Sequence, residues 1–223
     1  MATGPALIFD LDGTLVDTAP DLLGAINFIL EREGRKAVDM ADLRHLVGHG
    51  ARVMLAEAFV RTGAPLQPER MSGLMDEYIA HYRANIANRS RPFPGVEATL
   101  RRLSASSRLG VLTNKPQELT DLLLPAVGLA RFFGAIHGAG RMAVSKPDAA
   151  VFHHVVEELG GPGKGALMIG DSATDVATAR AADVPVILVD YGYTPTPAAE
   201  LGADAVTSDF ADVPALVGRL LKL

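Results

Sequence analysis

Short apolar runs separated by longer helical patterns are the feature that most constrains the fold of this 223-residue chain. Four of the runs lack the apolar–polar alternation of a strand with one wet face, so they predict parallel strands covered on both sides. These runs are Leu7–Phe9, Leu109–Leu112, Ala166–Ile169 and Val184–Val189, with weaker candidates at Ala135–His137 and Asp204–Val206. The alternation predicts an α/β fold, with a Rossmann-like parallel sheet and helices on both faces.

One stretch interrupts this rhythm because it contains helical patterns and no convincing strand. Apolar residues from Leu22 to Leu30 and from Met71 to Tyr82 recur at helical spacing, which we interpret as core packing. We therefore expect an all-helical cap inserted after the first strand. The expected domains are an α/β core of residues 1–16 and 90–223 and a cap of residues 17–89.

The composition excludes several classes of function. The chain has no cysteine, which rules out disulfides, thiolate catalysis and cysteine-ligated metals. Its net charge of −5 gives no electrostatic reason to expect a nucleic-acid partner. Neither a signal peptide nor an apolar run of membrane-spanning length is visible, so we expect a cytoplasmic protein without a membrane partner.

Polar motifs follow three of the predicted strands. Asp10-Leu11-Asp12-Gly13-Thr14 follows the first, Thr113-Asn114-Lys115 the second, and Gly170-Asp171-Ser172-Ala173-Thr174-Asp175 the third. Ligands of open parallel sheets bind outside the carboxyl ends of the strands, so we expect these motifs to converge there. Lys146 precedes a helix instead, so its place has to be inferred differently.

These residue types suit phosphoryl transfer. A phosphomonoester dianion repels a carboxylate nucleophile, so cationic groups must screen it. Asp10 and Asp171 offer the oxygen ligands of Mg²⁺, Lys146 a second positive charge, and Thr113 a hydrogen bond to a phosphoryl oxygen. Asp10 would attack phosphorus to form an aspartyl-phosphate. Asp12 would protonate the departing alkoxide and later take a proton from the attacking water.

In this order, the three motifs and Lys146-Pro147 resemble the haloacid dehalogenase superfamily, and the helical insert resembles its small cap. Pro94-Gly95-Val96 and Leu112-Thr113-Asn114-Lys115-Pro116 narrow the resemblance to the phosphoglycolate-phosphatase-like branch. The resemblance implies that Asp10 is the nucleophile and Asp12 the acid/base, with the Asp12 carbonyl also on the metal. The implied metal ligands are Asp10, Asp12, Asp171 and Asp175, the last acting through water or by orienting its neighbours.

The substrate contacts are expected partly in the core and partly in the cap. In the core they are Thr113, Asn114 and Lys146. In the cap, Gly48-His49-Gly50-Ala51-Arg52 precedes a helical stripe, and the N–H groups near Gly50 together with Arg52 would bind a substrate carboxylate. His49 would line or gate the site. The alternative is a glycine-rich turn with a solvated arginine. We expect Lys115 to be solvated.

The expected function is that of a Mg²⁺-dependent phosphatase for a small phosphorylated metabolite, with 2-phosphoglycolate as the first substrate. Asp12 favours phosphate esters over dehalogenation because an alkoxide, unlike a halide, leaves with a proton. The same core also fits a sugar-phosphate phosphatase, a β-phosphoglucomutase-like phosphomutase or a pyrophosphatase. A catalytically silent binding protein is the non-enzymatic alternative. We expect a monomer or homodimer whose cap closes about hinges near Leu15–Thr18 and Ala87–Pro92.

Overall fold

A computed structural model describes residues 4–43 and 50–223 of the chain. Its strands are β1 (Ala6–Phe9), β2 (Val16–Asp17), β3 (Arg91–Pro92), β4 (Arg108–Pro116), β5 (Ala135–Ala139), β6 (Ala166–Gly170), β7 (Val186–Val189) and β8 (Ala205–Thr207). Six of them form a parallel sheet in the order β5-β4-β1-β6-β7-β8. The predicted α/β fold class is therefore confirmed.

Helices cover both faces of this sheet, which explains why its strands are apolar without alternation. The helices are α1 (Ala19–Arg32), α2 (Met40–Leu43), α3 (Ala51–Thr62), α4 (Pro68–Ala84), α5 (Val96–Leu103), α6 (Gln117–Ala126), α7 (Ala149–Glu158), α8 (Ala173–Ala181) and α9 (Val213–Leu221). In β1, Leu7 and Phe9 pack into a cluster with α5 and α9. Ala6 and Ile8 pack on the opposite face with α7 and α8.

Two strand predictions need correction at their ends. The strand predicted over Leu109–Leu112 continues to Pro116, with a register shift in its pairing to β5 after Leu112. The strand predicted from Val184 begins at Val186. Pro185 has no N–H to donate to a ladder, and the Val184 N–H donates to the carbonyl of Ala179 at the end of α8.

In the chain, helices α1 to α4 come after β1 and before the other strands of the six-stranded sheet. They share an apolar cluster that contains Ile26, Phe59, Tyr78 and Tyr82. The chain enters and leaves this helical region through β2 and β3, which pair antiparallel. Two residues are too few for a periodic pattern, so the sequence does not predict these strands. That the region is a separate, closing cap stays a prediction.

Asp21, in the first turn of α1, fixes the returning chain. Its carboxylate accepts hydrogen bonds from the N–H groups of Arg89 and Ser90 and from the Ser90 hydroxyl, at 2.7–3.0 Å. The returning segment is thereby held against the start of α1. In residues 4–43 and 50–223, no helix combines the length and the apolar composition that crossing a membrane requires.

Candidate active site

Three carboxylates meet at the carboxyl edge of the sheet. Asp10 directly follows β1 and Asp171 directly follows β6, and these two strands are hydrogen-bonded neighbours. Asp175 lies in the first turn of α8. Each of the three offers a carboxylate oxygen within 4.8 Å of those of the other two. The parallel topology therefore brings together residues that are more than 160 positions apart in the chain.

Lys146 supplies the positive charge of this cluster. Its ammonium nitrogen lies 2.7 Å from Oδ1 of Asp10 and 2.7 Å from Oδ1 of Asp175, and its side chain is buried. Asn114 donates its side-chain N–H to the carbonyl oxygen of Lys146 at 3.2 Å. In this arrangement Asn114 holds the backbone of Lys146, and its expected contact with substrate stays a prediction.

Asp171 is enclosed on several sides. Oδ1 accepts a hydrogen bond from the Thr14 hydroxyl at 3.1 Å, and Oδ2 accepts one from the Tyr193 N–H at 2.8 Å. Gly13 has a φ of 84°, and a Cβ there would lie 2.6 Å from Oδ2 of Asp171. A Cβ at Gly192 would overlap the same carboxylate. Both glycines are therefore required by close approach, and Gly13 also by its backbone conformation.

Asp175 uses both of its oxygens within the protein. Oδ1 pairs with Lys146, whereas Oδ2 accepts from the N–H groups of Asp171 and Ser172 and from the Ser172 hydroxyl. With Ser172 it forms the capping box that starts α8. These contacts orient Asp171 and Lys146. A direct bond from Asp175 to a metal stays a prediction.

The buried carboxylates of this cluster are not fully neutralised by the positive charge of Lys146. Loss of solvent raises the pKa of Asp171 well above its usual value, and the nearby carboxylates of Asp175 and Asp10 raise it further. Burial also raises the pKa of Asp10, although Lys146 opposes the shift. Thr14 and Tyr193 contact Asp171 through an uncharged hydroxyl and a peptide N–H. Closely spaced, under-neutralised carboxylate oxygens fit a hard divalent cation such as Mg²⁺.

Lys115 corrects a prediction from the sequence, because it is buried and not solvated. Its ammonium nitrogen lies 3.1 Å from Oδ1 of Asp12 and donates a hydrogen bond to the Tyr82 hydroxyl at 2.7 Å. Strand β4 extends past Leu112, so Lys115 follows Thr113 at the two-residue spacing of one strand face. Both are buried, whereas the intervening Asn114 is exposed. That spacing is the signal that sequence reasoning missed.

Thr113 is buried at the end of the same strand, and its hydroxyl oxygen accepts a hydrogen bond from the N–H of Lys115 at 3.1 Å. The hydroxyl hydrogen of Thr113 is not used by this bond. The predicted hydrogen bond to a phosphoryl oxygen is compatible with that arrangement and stays a prediction.

Tyr193 is a second residue whose contacts the sequence does not reveal. Its hydroxyl donates to Oδ1 of Asp17 at 2.5 Å and accepts from the N–H groups of Thr18 and Ala19. Its own N–H contacts Asp171. One residue therefore connects the carboxylate cluster to the segment that leads into α1.

The expected cap contacts lie at the start of α3. Gly50 immediately precedes this helix with a φ of 92°, and Arg52 lies exposed in its first turn. Gly48 and His49 fall outside the described residues. The predicted contact of Gly50 and Arg52 with a substrate carboxylate stays a prediction.

A family model described as haloacid dehalogenase-like hydrolase matches residues 7–189. The chain belongs to this family. The match covers the carboxylates, Lys115, Lys146 and the helical region between β1 and β4. The resemblance noted from the four motifs is confirmed at the level of the family.

The proteins and the solved structure described next, to which this chain is similar, are all named phosphoglycolate phosphatase or predicted phosphoglycolate phosphatase. A phosphoglycolate phosphatase of Caulobacter vibrioides is 47% identical over 212 residues, which span 95% of this chain and 90% of that protein. One of Agrobacterium fabrum is 44% identical over 220 residues, with coverages of 98% and 94%. The crystal structure of a predicted phosphoglycolate phosphatase from Haemophilus somnus has a TM-score of 0.89 at 29% identity and covers 97% of this chain and 99% of its own.

Proposed function

We propose that this chain is a Mg²⁺-dependent phosphoric monoester hydrolase whose substrate is a small phosphorylated metabolite, with 2-phosphoglycolate as the first candidate. The observation that carries the proposal is the buried cluster in which Lys146 contacts Asp10 and Asp175 beside Asp171. The family is one of hydrolases, and the relatives named above support the choice of substrate.

Asp10 is the proposed nucleophile. One of its oxygens would form a bond to phosphorus while the bond from phosphorus to the substrate oxygen breaks, which leaves an aspartyl-phosphate and an alkoxide. Lys146 would reduce the repulsion between this carboxylate and the phosphoryl oxygens, because its ammonium group already lies against Asp10. Thr113 would donate its hydroxyl hydrogen to a phosphoryl oxygen.

Asp12 is the proposed acid and base. It is only partly buried, two residues beyond Asp10, so its carboxyl group is open to a leaving group. Its proton would pass to the leaving oxygen as the bond to phosphorus breaks. The resulting carboxylate would then take a proton from the water that attacks the aspartyl-phosphate. The bond from phosphorus to the Asp10 oxygen breaks in this step, which restores the Asp10 carboxylate and leaves inorganic phosphate and the alcohol as products.

Asp10, Asp171 and the backbone carbonyl of Asp12 would hold Mg²⁺, which supplies positive charge that screens the phosphoryl oxygens from the carboxylates. Thr14 and the N–H of Tyr193 fix the orientation of the Asp171 carboxylate. Asp175 would act indirectly, by fixing Lys146 and the N–H of Asp171.

A screen of phosphate esters tests the proposal. With Mg²⁺ present, we expect the protein to release inorganic phosphate from 2-phosphoglycolate faster than from sugar phosphates or pyrophosphate. Isomerised sugar phosphate without release would instead identify a phosphomutase. Asp10→Asn should abolish release, whereas Asp121→Asn, at an exposed site on α6, should retain it. Full activity of Asp10→Asn would overturn the mechanism.

A further inference from the structure

A lysine–tyrosine pair connects the helical region to the carboxylate of Asp12. The Lys115 ammonium nitrogen lies 3.1 Å from Oδ1 and 3.4 Å from Oδ2 of Asp12. On its other side it donates to the hydroxyl of Tyr82, which belongs to α4. The side chain of Lys115 is 3% exposed and that of Asp12 is 16% exposed. The ammonium group is thus held inside the protein, whereas the carboxylate that it contacts faces the open side of the site.

We propose that Lys115 is a positioning residue for Asp12 and that Tyr82 holds Lys115 in place from the helical region. The inference rests on the proposed function, since it concerns the proton transfer assigned to Asp12. Lys146 serves a different group, because its contacts are with Asp10 and Asp175. The two buried lysines therefore divide the site between the attacking carboxylate and the proton-transferring one.

Charge appears on Asp12 during the first half of the reaction. As the bond from phosphorus to the leaving oxygen breaks, the electron pair stays on that oxygen and the Asp12 proton moves to it. Asp12 is left as a carboxylate facing Lys115. A fixed ammonium group stabilises this developing charge without reorganisation at the moment of transfer. The contact also fixes the direction from which Asp12 reaches the leaving oxygen.

The tyrosine adds order to the lysine. A lysine side chain has four flexible carbons and loses rotamer entropy when it is fixed. Tyr82 accepts one of its hydrogen bonds and limits the positions of the ammonium group. Because Tyr82 lies on α4, this contact joins the helical region to the lysine of β4. The helical region thereby takes part in positioning Asp12.

Substrates with different leaving groups separate positioning from a merely structural role. An alkyl phosphate such as 2-phosphoglycolate needs its leaving oxygen protonated, whereas 4-nitrophenyl phosphate releases a stable phenolate. We expect Lys115→Met to lower kcat/KM for the alkyl ester by roughly 10²-fold, the lower end of general acid–base effects, and for the aryl ester by less than about 10-fold. Lys115→Arg should recover part of the loss.

Helix α4 provides a matched pair of controls. Tyr82→Phe should also lower kcat/KM more for the alkyl ester than for the aryl ester. We expect a smaller loss, roughly 10-fold on the alkyl ester, because the variant removes one hydrogen bond from Lys115. Tyr78 lies one turn earlier, is equally buried, and its hydroxyl has no hydrogen-bond partner within the described part of the chain. Tyr78→Phe should leave the ratio of the two kcat/KM values unchanged.

Equal losses on both esters for Lys115→Met and Tyr82→Phe would overturn the positioning role, provided that Asp10→Asn is inactive. Absence of phosphate release by the unmodified protein from every ester would instead overturn the proposed function. If Lys115→Met does not fold, the comparison of Tyr82→Phe with Tyr78→Phe decides the question alone. Circular dichroism and thermal unfolding of each variant establish which case applies.

Discussion

The ammonium group of Lys146 lies 2.7 Å from Oδ1 of Asp175, a fully buried carboxylate whose other oxygen caps helix α8. The same ammonium group contacts Asp10, so one side chain ties the end of β1 to the start of α8. The carboxylates were brought together by sheet topology, but their mutual repulsion is offset locally by this lysine.

Removing that lysine should destabilise the protein strongly. Lys146→Met leaves buried carboxylates at Asp10 and Asp175 without their cation, so we expect the free energy of unfolding to fall by about 3–5 kcal/mol in EDTA at neutral pH. Urea unfolding measures the change. Lys164→Met, at an exposed position, should alter the same quantity by no more than about 0.5 kcal/mol. Similar values for the two variants would contradict the structural importance of the pair.

Stability of the metal-free protein should fall as pH rises. The pKa values of Asp10 and Asp171 are raised in the folded protein above their ordinary value of 3.8. From that value up to the raised pKa, the folded state holds more protons than the unfolded state, so these groups lower the free energy of unfolding progressively. Thermal unfolding in EDTA, compared between the unmodified protein and Asp171→Asn, isolates the contribution. The stability of Asp171→Asn should fall less steeply with pH than that of the unmodified protein.

Mg²⁺ should stabilise the protein more at about pH 8 than at about pH 6, because it binds deprotonated carboxylates and must displace protons at the lower pH. The measurement is the shift of Tm on adding Mg²⁺ at each pH. An equal shift at both values would argue against binding by the buried carboxylates. Asp171→Asn should greatly reduce the shift at both.

The Tyr193 hydroxyl should contribute to stability and not to metal binding. Tyr193→Phe removes the hydrogen bonds to Asp17, Thr18 and Ala19 but keeps the N–H that contacts Asp171. We expect a loss of about 2 kcal/mol in the free energy of unfolding, with little change in the Mg²⁺ concentration for half-maximal stabilisation.

Tyr191→Phe is the matched control for this variant, because the Tyr191 hydroxyl donates to the Thr14 carbonyl at 3.0 Å. Its loss should cost about 1 kcal/mol. A weakened response to Mg²⁺ in Tyr193→Phe would show that the hydroxyl, and not only the N–H, supports Asp171.

Arg52 should affect the binding of a carboxylate-bearing substrate. Arg52→Ala is expected to raise KM for 2-phosphoglycolate by roughly 10-fold and KM for an aryl phosphate without a carboxylate much less, because only the former presents a second anionic group. Arg61→Ala, on the same helix but ion-paired with Glu57, serves as the comparison. Equal effects of Arg52→Ala on both esters would place this side chain outside the substrate site.

The pattern of apolar runs predicts the parallel sheet. It also predicts that Asp10 and Asp171 lie close together, because residues that follow parallel strands lie at the same edge of the sheet. Lys146 was predicted as part of the site from its chemistry, but its position was not, because it follows no strand. The apolar run ends at Leu112 and so predicts a solvated Lys115, whereas β4 continues to Pro116. With the strand continued past Leu112, the two-residue spacing between Thr113 and Lys115 predicts that the lysine side chain is buried.

The contacts of Tyr193 lie beyond any pattern of this kind. They join residues about 175 positions apart through a hydroxyl and an N–H, and the apolar spacing of a helix or strand does not predict such a pair. The two-residue strands β2 and β3 escape prediction for a related reason, since each is recognisable only by its partner.

The close fit of Gly13 and Gly192 around Asp171 has a consequence for how this protein can be diversified. Any side chain at either position displaces a carboxylate, so a mutagenesis library at residues 13 and 192 should return almost only glycine under selection for activity. These two positions beside Asp171 therefore offer no room for new specificity. Directed evolution toward other phosphate esters has to find its beneficial substitutions elsewhere in the chain.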